Sequence, residues 1–475
     1  MREGRGVNLG EERFNRRARY KRYHIEVKEA PPKVKLPPKY LVKRYNNCVN
    51  LQECVQACIY GVHVVGEDGE VMDPISEKCR GCFMCVLACP RGAISVELNP
   101  DFKRMGDSYF TPERIETIYF EAQTGRVPVS GTGYKGPFAG KGFDGMWFDF
   151  SEIVRPTRDG IHGREYISTS VDLGRKPPYL SFKGDTLLSE PPTIIEVPIP
   201  MLLDAPADVS GKENLLLAVA KAASELGTFA IVEAKDYFEE LSPYSAHIIP
   251  RLELSNIDDH EPLIRASRIV EVNVTSPKET RLEDVVKKVR RMSPRALISL
   301  RLTYERGVER CAEALVKYGV DMIHVHVNDE DVARDPGLIT RAVNGVHAHL
   351  VDGGVRDEVT LLSSGGIAEA AHVPKSIILG ADAVCVGLAY QIALGCKVCY
   401  GTKHSPECPL YIEKGDIEWA AQRIINLIAA WRDQLLEVLG GMGLREVRRL
   451  RGELGRAMFY EELEEKVFGG GDKWP

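Results

Sequence analysis

The run Cys79-x2-Cys82-x2-Cys85-x3-Cys89-Pro90 constrains this chain more than any other feature of it. Three thiolates at two-residue gaps can cap three irons of one cubane, while the fourth, set off by an extra residue and followed by proline, ligates a second cluster. A partner half is therefore expected upstream, and Cys48-x5-Cys54-x3-Cys58 stands there. Counting back from Cys58 at the same spacing gives Cys54, then position 51, then Cys48, and position 51 is Leu51. Cys58, Cys79, Cys82 and Cys85 are accordingly assigned to one [4Fe-4S] cluster. Cys48, Cys54 and Cys89 are left to a second cluster with three protein thiolates, which favours [3Fe-4S]. A [4Fe-4S] cluster completed by water or another residue is the alternative. Zinc is disfavoured, because the downstream run alone overfills a tetrahedral site.

Seven of the twelve cysteines thus fall within residues 46–100, with the spacing of a bacterial-type dicluster ferredoxin domain. A third group, Cys396-x2-Cys399-x8-Cys408-Pro409, again offers three thiolates for a [3Fe-4S] or [4Fe-4S] cluster, with zinc completed by His404 as the alternative. Cys311 and Cys385 lie in a helical and a strand pattern and are expected to be packing residues. Clustered rather than paired cysteines, spread over 475 residues, read as metal ligands in a reducing, cytoplasmic setting. No apolar run approaches about 18 residues, and the basic N-terminus has no apolar core behind it, so neither a membrane span nor secretion is expected. With 44% hydrophobic and 27% charged residues, the chain is neither disordered throughout nor collagen-like.

The charge is uneven. Residues 1–45 carry fourteen Lys or Arg against five Glu, a balance of +9 in a chain whose net charge is −6. This basic N-terminal arm, with prolines at Pro31 and Pro37, is expected to be extended, either solvated or docked on an acidic surface. Nucleic acid ranks lower as its partner, because no recognised binding motif accompanies the charge. Residues 101–192, with Gly131-Thr-Gly-Tyr-Lys-Gly and Gly140-Lys-Gly-Phe-Asp-Gly, are expected to wrap the next domain as irregular structure. Arg155, Arg158, His162 and Arg164 crowd that segment, either pinning it or holding an acidic ligand.

From Thr193 onward, short β-branched runs alternate with helical patterns, the signature of parallel βα units. Eight candidate strands occur, at Thr193–Ile199, Phe229–Ala234, Ala246–Glu253, Arg268–Val274, Ala296–Leu302, Met322–Val327, Val359–Ser364 and Ala383–Leu388. Lys212–Leu226, Leu282–Met292, Gly307–Tyr318 and Ile367–Leu379 read as helices between them. The fold class is therefore α/β, a (β/α)8 TIM barrel over residues 193–415 preceded by the ferredoxin-like domain. A doubly wound sheet would want a Gly-x-Gly-x-x-Gly turn after its first strand, which is missing. Residues 416–475, read as helices at Ile417–Leu439 and Leu444–Val467, would pack outside the barrel and offer a stripe for an oligomer contact.

The last two strands end in Ser363-Ser364-Gly365-Gly366-Ile and Ala383-Val-Cys-Val-Gly387-Leu388. Glycines at the C-terminal tips of these strands let backbone N–H groups approach a phosphate. With Leu379-Gly-Ala-Asp-Ala-Val between them, they point to a flavin mononucleotide site. Together with Ile392-Ala-Leu-Gly-Cys and Cys408-Pro, these segments resemble the flavin-binding synthase domain of the glutamate synthase family, in the stand-alone archaeal form that carries a ferredoxin module.

The resemblance implies FMN held by Ser364, Gly365, Gly366, Gly387 and Leu388, with Asp204 and Ala205 of the opening loop under the flavin. It also implies one [3Fe-4S] cluster on Cys396, Cys399 and Cys408, although the family's first two thiolates are farther apart. Arg301 falls where the family has a strand-borne Lys beside the flavin, so a cation is preserved there. His324 and His326 alternate along one strand and share a face, either as proton donors or as satisfied interior residues. Two departures touch the substrate side. Val232-Glu-Ala-Lys-Asp-Tyr and His326-Val-Asn-Asp-Glu-Asp lack the glycines of the family's corresponding loops.

The activity implied is reduction of 2-iminoglutarate, formed from 2-oxoglutarate and ammonia, to glutamate. Electrons would come from a ferredoxin or other redox partner subunit through the clusters to FMN, which delivers hydride. No amino-terminal nucleophile Cys is present, so ammonia would come from a separate glutaminase subunit or from solution. The altered loops and the basic arm motivate a different class of function, an electron-transfer flavin and iron–sulfur subunit that has lost its amino-acid site.

Overall fold

The computed structural model describes residues 23–129, 131, 140–150, 166–176, 180–187, 193–207, 213–274, 282–398 and 408–459. The cysteine-rich segment is closed by two antiparallel strands, β1 (Tyr40–Arg44) and β2 (Ile94–Leu98), which pair along their full length. Between them lie two five-residue helices, Glu53–Ala57 and Met84–Ala88, packed against each other.

Residues 101–192 are less irregular than their glycine content suggests. They hold a thirteen-residue helix, Pro112–Thr124, opened by the Thr111 side chain on the Arg114 N–H and closed by Gly125 at φ +66. They also hold β3 (Met146–Phe148), β4 (Val171–Gly174) and the two-residue strands β5 (Phe182–Lys183) and β6 (Thr186–Leu187). The Arg155, Arg158, His162 and Arg164 cluster lies outside the described residues.

The barrel is present, with its first strand displaced from the expected position. The run expected to open it, β7 (Ile194–Val197), instead pairs antiparallel with β4 outside the barrel. Its burial alternates, exposed then buried, as befits a strand covered on one face. The first barrel strand is β8 (Met201–Asp204), all four residues of which are buried. It is followed by β9 (Ala230–Glu233), β10 (Ile248–Glu253), β11 (Ile269–Val274), β12 (Leu297–Thr303), β13 (Met322–His326), β14 (Thr360–Ser364) and β15 (Ala383–Val386). These eight close in sequential order, every pair parallel. The helix expected over residues 367–379 begins only at His372, because 367–371 form the loop leaving β14.

The long helix Ile417–Gly441 packs across Glu213–Leu226 and Pro112–Thr124. Beyond it, over the described part of the helix expected at Leu444–Val467, there are instead short 3₁₀ turns at Val447–Leu450 and Leu454–Arg456 and strand β16 (Ala457–Phe459), which pairs with β3; residues 460–467 lie outside the described residues. Gly443 and Gly452 both sit at positive φ and break the helical pattern. The described part of the basic arm lies on the chain's own helices: Asn426 donates to Lys28 O, Arg423 to Ala30 O, and Trp419 to Pro31 O. Among the described residues no helix is long and apolar enough to cross a membrane.

Candidate active site at the barrel mouth

Parallel strands place their C-terminal residues around one opening, and alternation turns every second side chain inward. Here those inward residues are charged. Arg251 on β10 donates from Nη2 to Asp204 Oδ1 at 2.8 Å and from Nε to Glu271 Oε1 at 2.7 Å, with Glu233 Oε1 at 3.5 Å from Nη1. The strand register sets this up, since Arg251 lies directly beside Glu233 on one side and Glu271 on the other. Arg301, next along, donates to Asn273 Oδ1 at 3.3 Å, and among the described residues its buried Nε has no partner. Burial, with Arg251 alongside, lowers that guanidinium below its ordinary value.

A hydrogen-bonded chain runs from this ring to the rim. Glu271 Oε2 meets His324 Nδ1 at 2.8 Å, His324 Nε2 meets Ser364 Oγ at 2.7 Å, and Ser364 Oγ meets His326 Nδ1 at 2.7 Å. Burial would raise the Glu271 carboxyl, but His324 and Arg251 hold it well below the usual carboxylate range. The ionised carboxylate only accepts, so His324 donates from Nδ1. In one proton arrangement His324 Nε2 accepts from the Ser364 hydroxyl, Ser364 accepts from His326 Nδ1–H, and His326 Nε2 is an acceptor. A proton taken up at that Nε2 can shift the chain by one step. After that step His324 Nε2 donates to Ser364 Oγ, Ser364 donates to His326 Nδ1, and His326 Nε2 is a donor. Burial first, then Arg301, keep the His326 imidazole itself well below its ordinary pKa.

The loop leaving β14 requires its glycines. Gly365 has φ +87, and a Cβ there would lie 1.7 Å from Val327 O; Gly366 has φ +65. The Gly366 N–H donates to Asp329 Oδ1 at 2.8 Å, and the Ala368 N–H to His372 Nδ1 at 3.1 Å. From below, Tyr109 donates to Gly366 O, and Arg114 pairs with Glu369 and Asp144. Gly387 and Leu388 stand at the end of β15 beside Asp204, whose carbonyl accepts from Tyr390. Ala205 is buried at the end of β8.

The cysteines between β1 and β2 form two sets related by an offset of 31 residues. Gln52 and Phe83 open their helices at φ 60 and 61, and Gly61 and Gly92 follow at positive φ. The Val62 N–H points at Cys58 Sγ as the Ala93 N–H does at Cys89 Sγ, at 3.4 and 3.3 Å. In this repeat Leu51 takes the place of Cys82. Cys54 has Cys48 and Cys89 as its neighbouring thiols, while Cys85 has Cys58, Cys79 and Cys82. Among the described residues no three His, Cys, Asp or Glu are close enough to hold one metal ion. A cubane spreads its thiolates more widely than a single ion does. A small cavity bordered by Cys48, Cys54, Cys89, Leu51 and Glu53 opens beside the three-thiol set. Farther on, Cys396 is buried and Cys408 half-buried, with Gly395 against Pro409, whereas Cys399 and His404 lie outside the described residues.

The family described as the conserved region in glutamate synthase matches residues 271–445. The archaeal-type glutamate synthase [NADPH] of Thermotoga maritima is 27% identical over 93% of this chain and 100% of its own length. The corresponding proteins of Dehalococcoides mccartyi and Archaeoglobus fulgidus are 26% and 25% identical, each over 91% of this chain and 98% and 97% of theirs. The chain is therefore similar to glutamate synthases along most of its length, with the family's conserved region at residues 271–445. Among solved structures, a mutant (S)-mandelate dehydrogenase aligns at 11% identity with a TM-score of 0.44, covering 76% of this chain and 94% of that one.

The barrel brings together Asp204, Arg301, His324, His326 and Ser364, all expected at one site from sequence, and adds four residues that sequence reasoning missed. Arg251, Glu233 and Glu271 carry a visible signal, since each is a charge within a mostly apolar strand. Asp329 carries none, because nothing local shows that its carboxylate turns back onto Gly366. The departures noted in two loops are folded as short helical turns, Ala234–Asp236 after β9 and Asp329–Arg334 after β13.

Proposed function

We propose that this chain is an FMN- and iron–sulfur-dependent oxidoreductase that reduces 2-iminoglutarate, formed from 2-oxoglutarate and ammonia, to glutamate. The observation that carries the reading is the pairing, at one barrel mouth, of the Arg301 guanidinium with a relay ending at His326 Nε2. Arg301 is placed to face an anion at the mouth, whether a substrate carboxylate or a flavin ring. His326 Nε2, backed by Ser364 and the His324–Glu271 pair, holds a proton for the imine nitrogen that becomes the amine. The Arg251 ring fixes Glu271 and thereby the His324 tautomer. FMN, when bound, supplies exchange between one-electron and hydride chemistry, with Gly387, Leu388, Ser364, Asp204 and Ala205 around it; clusters on the three thiol groups supply single electrons. The electron donor is a ferredoxin or another redox subunit, and the ammonia source a separate glutaminase or solution.

Anaerobic stopped-flow mixing of prereduced protein with 2-oxoglutarate and ammonium tests this, with glutamate measured in the same sample. Flavin reoxidation with stoichiometric glutamate is expected. Reduced flavin that persists, in protein shown to hold FMN and iron, favours the second reading, an electron-transfer subunit without an amino-acid site. That reading draws support from the helical turns at Ala234–Asp236 and Asp329–Arg334, which stand where the family has glycine-rich loops.

A further inference from the structure

The loop leaving β14 carries its own anion. Asp329, the first residue of the turn after β13, sends Oδ1 back to the Gly366 N–H at 2.8 Å. Ala368 N–H is likewise taken, by His372, and the Gly366 carbonyl is held by Tyr109. A strand-tip amide is what a phosphate oxygen would accept from, and a carboxylate oxygen offers the same charge-assisted acceptor. Gly366 is also hemmed in, since a Cβ there would lie 2.8 Å from Val332 and 3.3 Å from Tyr109. A carboxylate and a phosphate therefore compete for one donor, and side by side they repel.

We propose that Asp329 occupies the phosphate position of the flavin site, so that this chain gains little affinity from the phosphate of FMN unless Asp329 withdraws. The proposal rests on the flavin reading above and makes Asp329 the residue that sets discrimination between phosphorylated and unphosphorylated flavin. The groups facing it are the Gly366 N–H, the like charges of Asp204 and Asp107, and the opposite charge of Arg301.

The test is titration of FMN and of riboflavin into the full-length, anaerobically reconstituted chain, read by flavin fluorescence at fixed ionic strength. Wild type, Asp329→Asn and Asp329→Ser are compared. Asparagine keeps an oxygen for the Gly366 N–H and removes the charge. FMN is expected to bind Asp329→Asn about tenfold more tightly than wild type, with riboflavin unchanged within about twofold, a difference of about 1.4 kcal/mol confined to the phosphate. An unchanged ratio of FMN to riboflavin affinity, or equal tightening of both, overturns the proposal. Should asparagine impair folding, judged by melting temperature and iron content, the ratio is read from Asp329→Ser. If neither flavin binds any form that is folded and iron-loaded, the flavin reading itself falls, and the proposal with it.

Discussion

The unit between β1 and β2 buries six apolar or sulfur side chains in its core, and two of the six are Cys54 and Cys85. The barrel and its covering helices bury one continuous apolar core, with a ring of mutually paired charges at its mouth. A core of six side chains is too small to hold about sixty residues unaided, and units of that kind lean on metal or cross-links. The barrel's apolar core is far larger, and burial on this scale leaves room for polar groups that pair with one another. On the cluster reading proposed above, the same chain holds one region whose fold depends on its inorganic cargo and one whose fold comes first and shapes a site afterwards.

Iron removal separates the two most sharply. Anaerobic chelation of protein carrying at least about eight irons per chain is expected to abolish hydrogen-exchange protection across residues 40–98 and leave β8–β15 protected. Uniform protection, or uniform loss, would break the contrast.

Next in size is a cut at the charged ring. Replacing Glu271 by Gln leaves Arg251 with Asp204 and Glu233 only and takes from His324 its carboxylate, at an expected cost of ~3–5 kcal/mol read by thermal unfolding. The sign with pH follows from the depressed carboxyl. Its contribution is present above the unfolded value of about 4.3 and is lost as pH falls toward the folded value. Glu271→Gln should flatten that acid limb.

Lys375 is the barrel's exception. Its Nζ donates to Phe143 O at 2.6 Å, and among the described residues no carboxylate stands within ion-pair distance. Burial lowers its pKa to about 8, with Glu369 and Asp144 opposing. Between that value and the unfolded one near 10.4 the unfolded chain holds the proton and the folded chain does not, so stability should rise with pH by ~3 kcal/mol across the window. Lys375→Met should remove the rise, and a rise that persists in the variant would show that another group is responsible.

Much of this was legible in the residues, for reasons that differ by region. Thiolate spacing is local, so the two cysteine sets and the gap at Leu51 could be read directly. Barrel strands announce themselves as short apolar runs, yet Ile194–Val197 and Met201–Asp204 compete for the first place. What separates them is burial, which alternates along Ile194–Val197 and is continuous along Met201–Asp204, as in a strand buried on both faces. The helix Pro112–Thr124 also had its signals, Thr111 and Pro112 before it and Gly125 after, obscured by glycine-rich neighbours. Contacts such as Arg114–Glu369, 255 residues apart, and Asp329 on Gly366 have no local signature, because only closure of the barrel brings them together.

The finest test of the contrast concerns one side chain. Leu51 stands at the repeat position of Cys82, at the edge of the cavity beside Cys48, Cys54 and Cys89. Its neighbour Gln52 has the same left-handed backbone as Phe83 in the other half, so the frame that presents Cys82 is already built at position 51. Leu51→Cys should therefore raise the iron content by about one per chain, as expected for [3Fe-4S] becoming [4Fe-4S]. The electron paramagnetic resonance signal of an oxidised three-iron centre should fall in proportion. Because Leu51 is exposed, stability should change by less than about 0.5 kcal/mol. An unchanged iron count would mean that the second set already completes four irons with water or another residue. The small unit would then be set by ligands beyond its thiols, and its dependence on cargo would extend past what the cysteine spacing encodes.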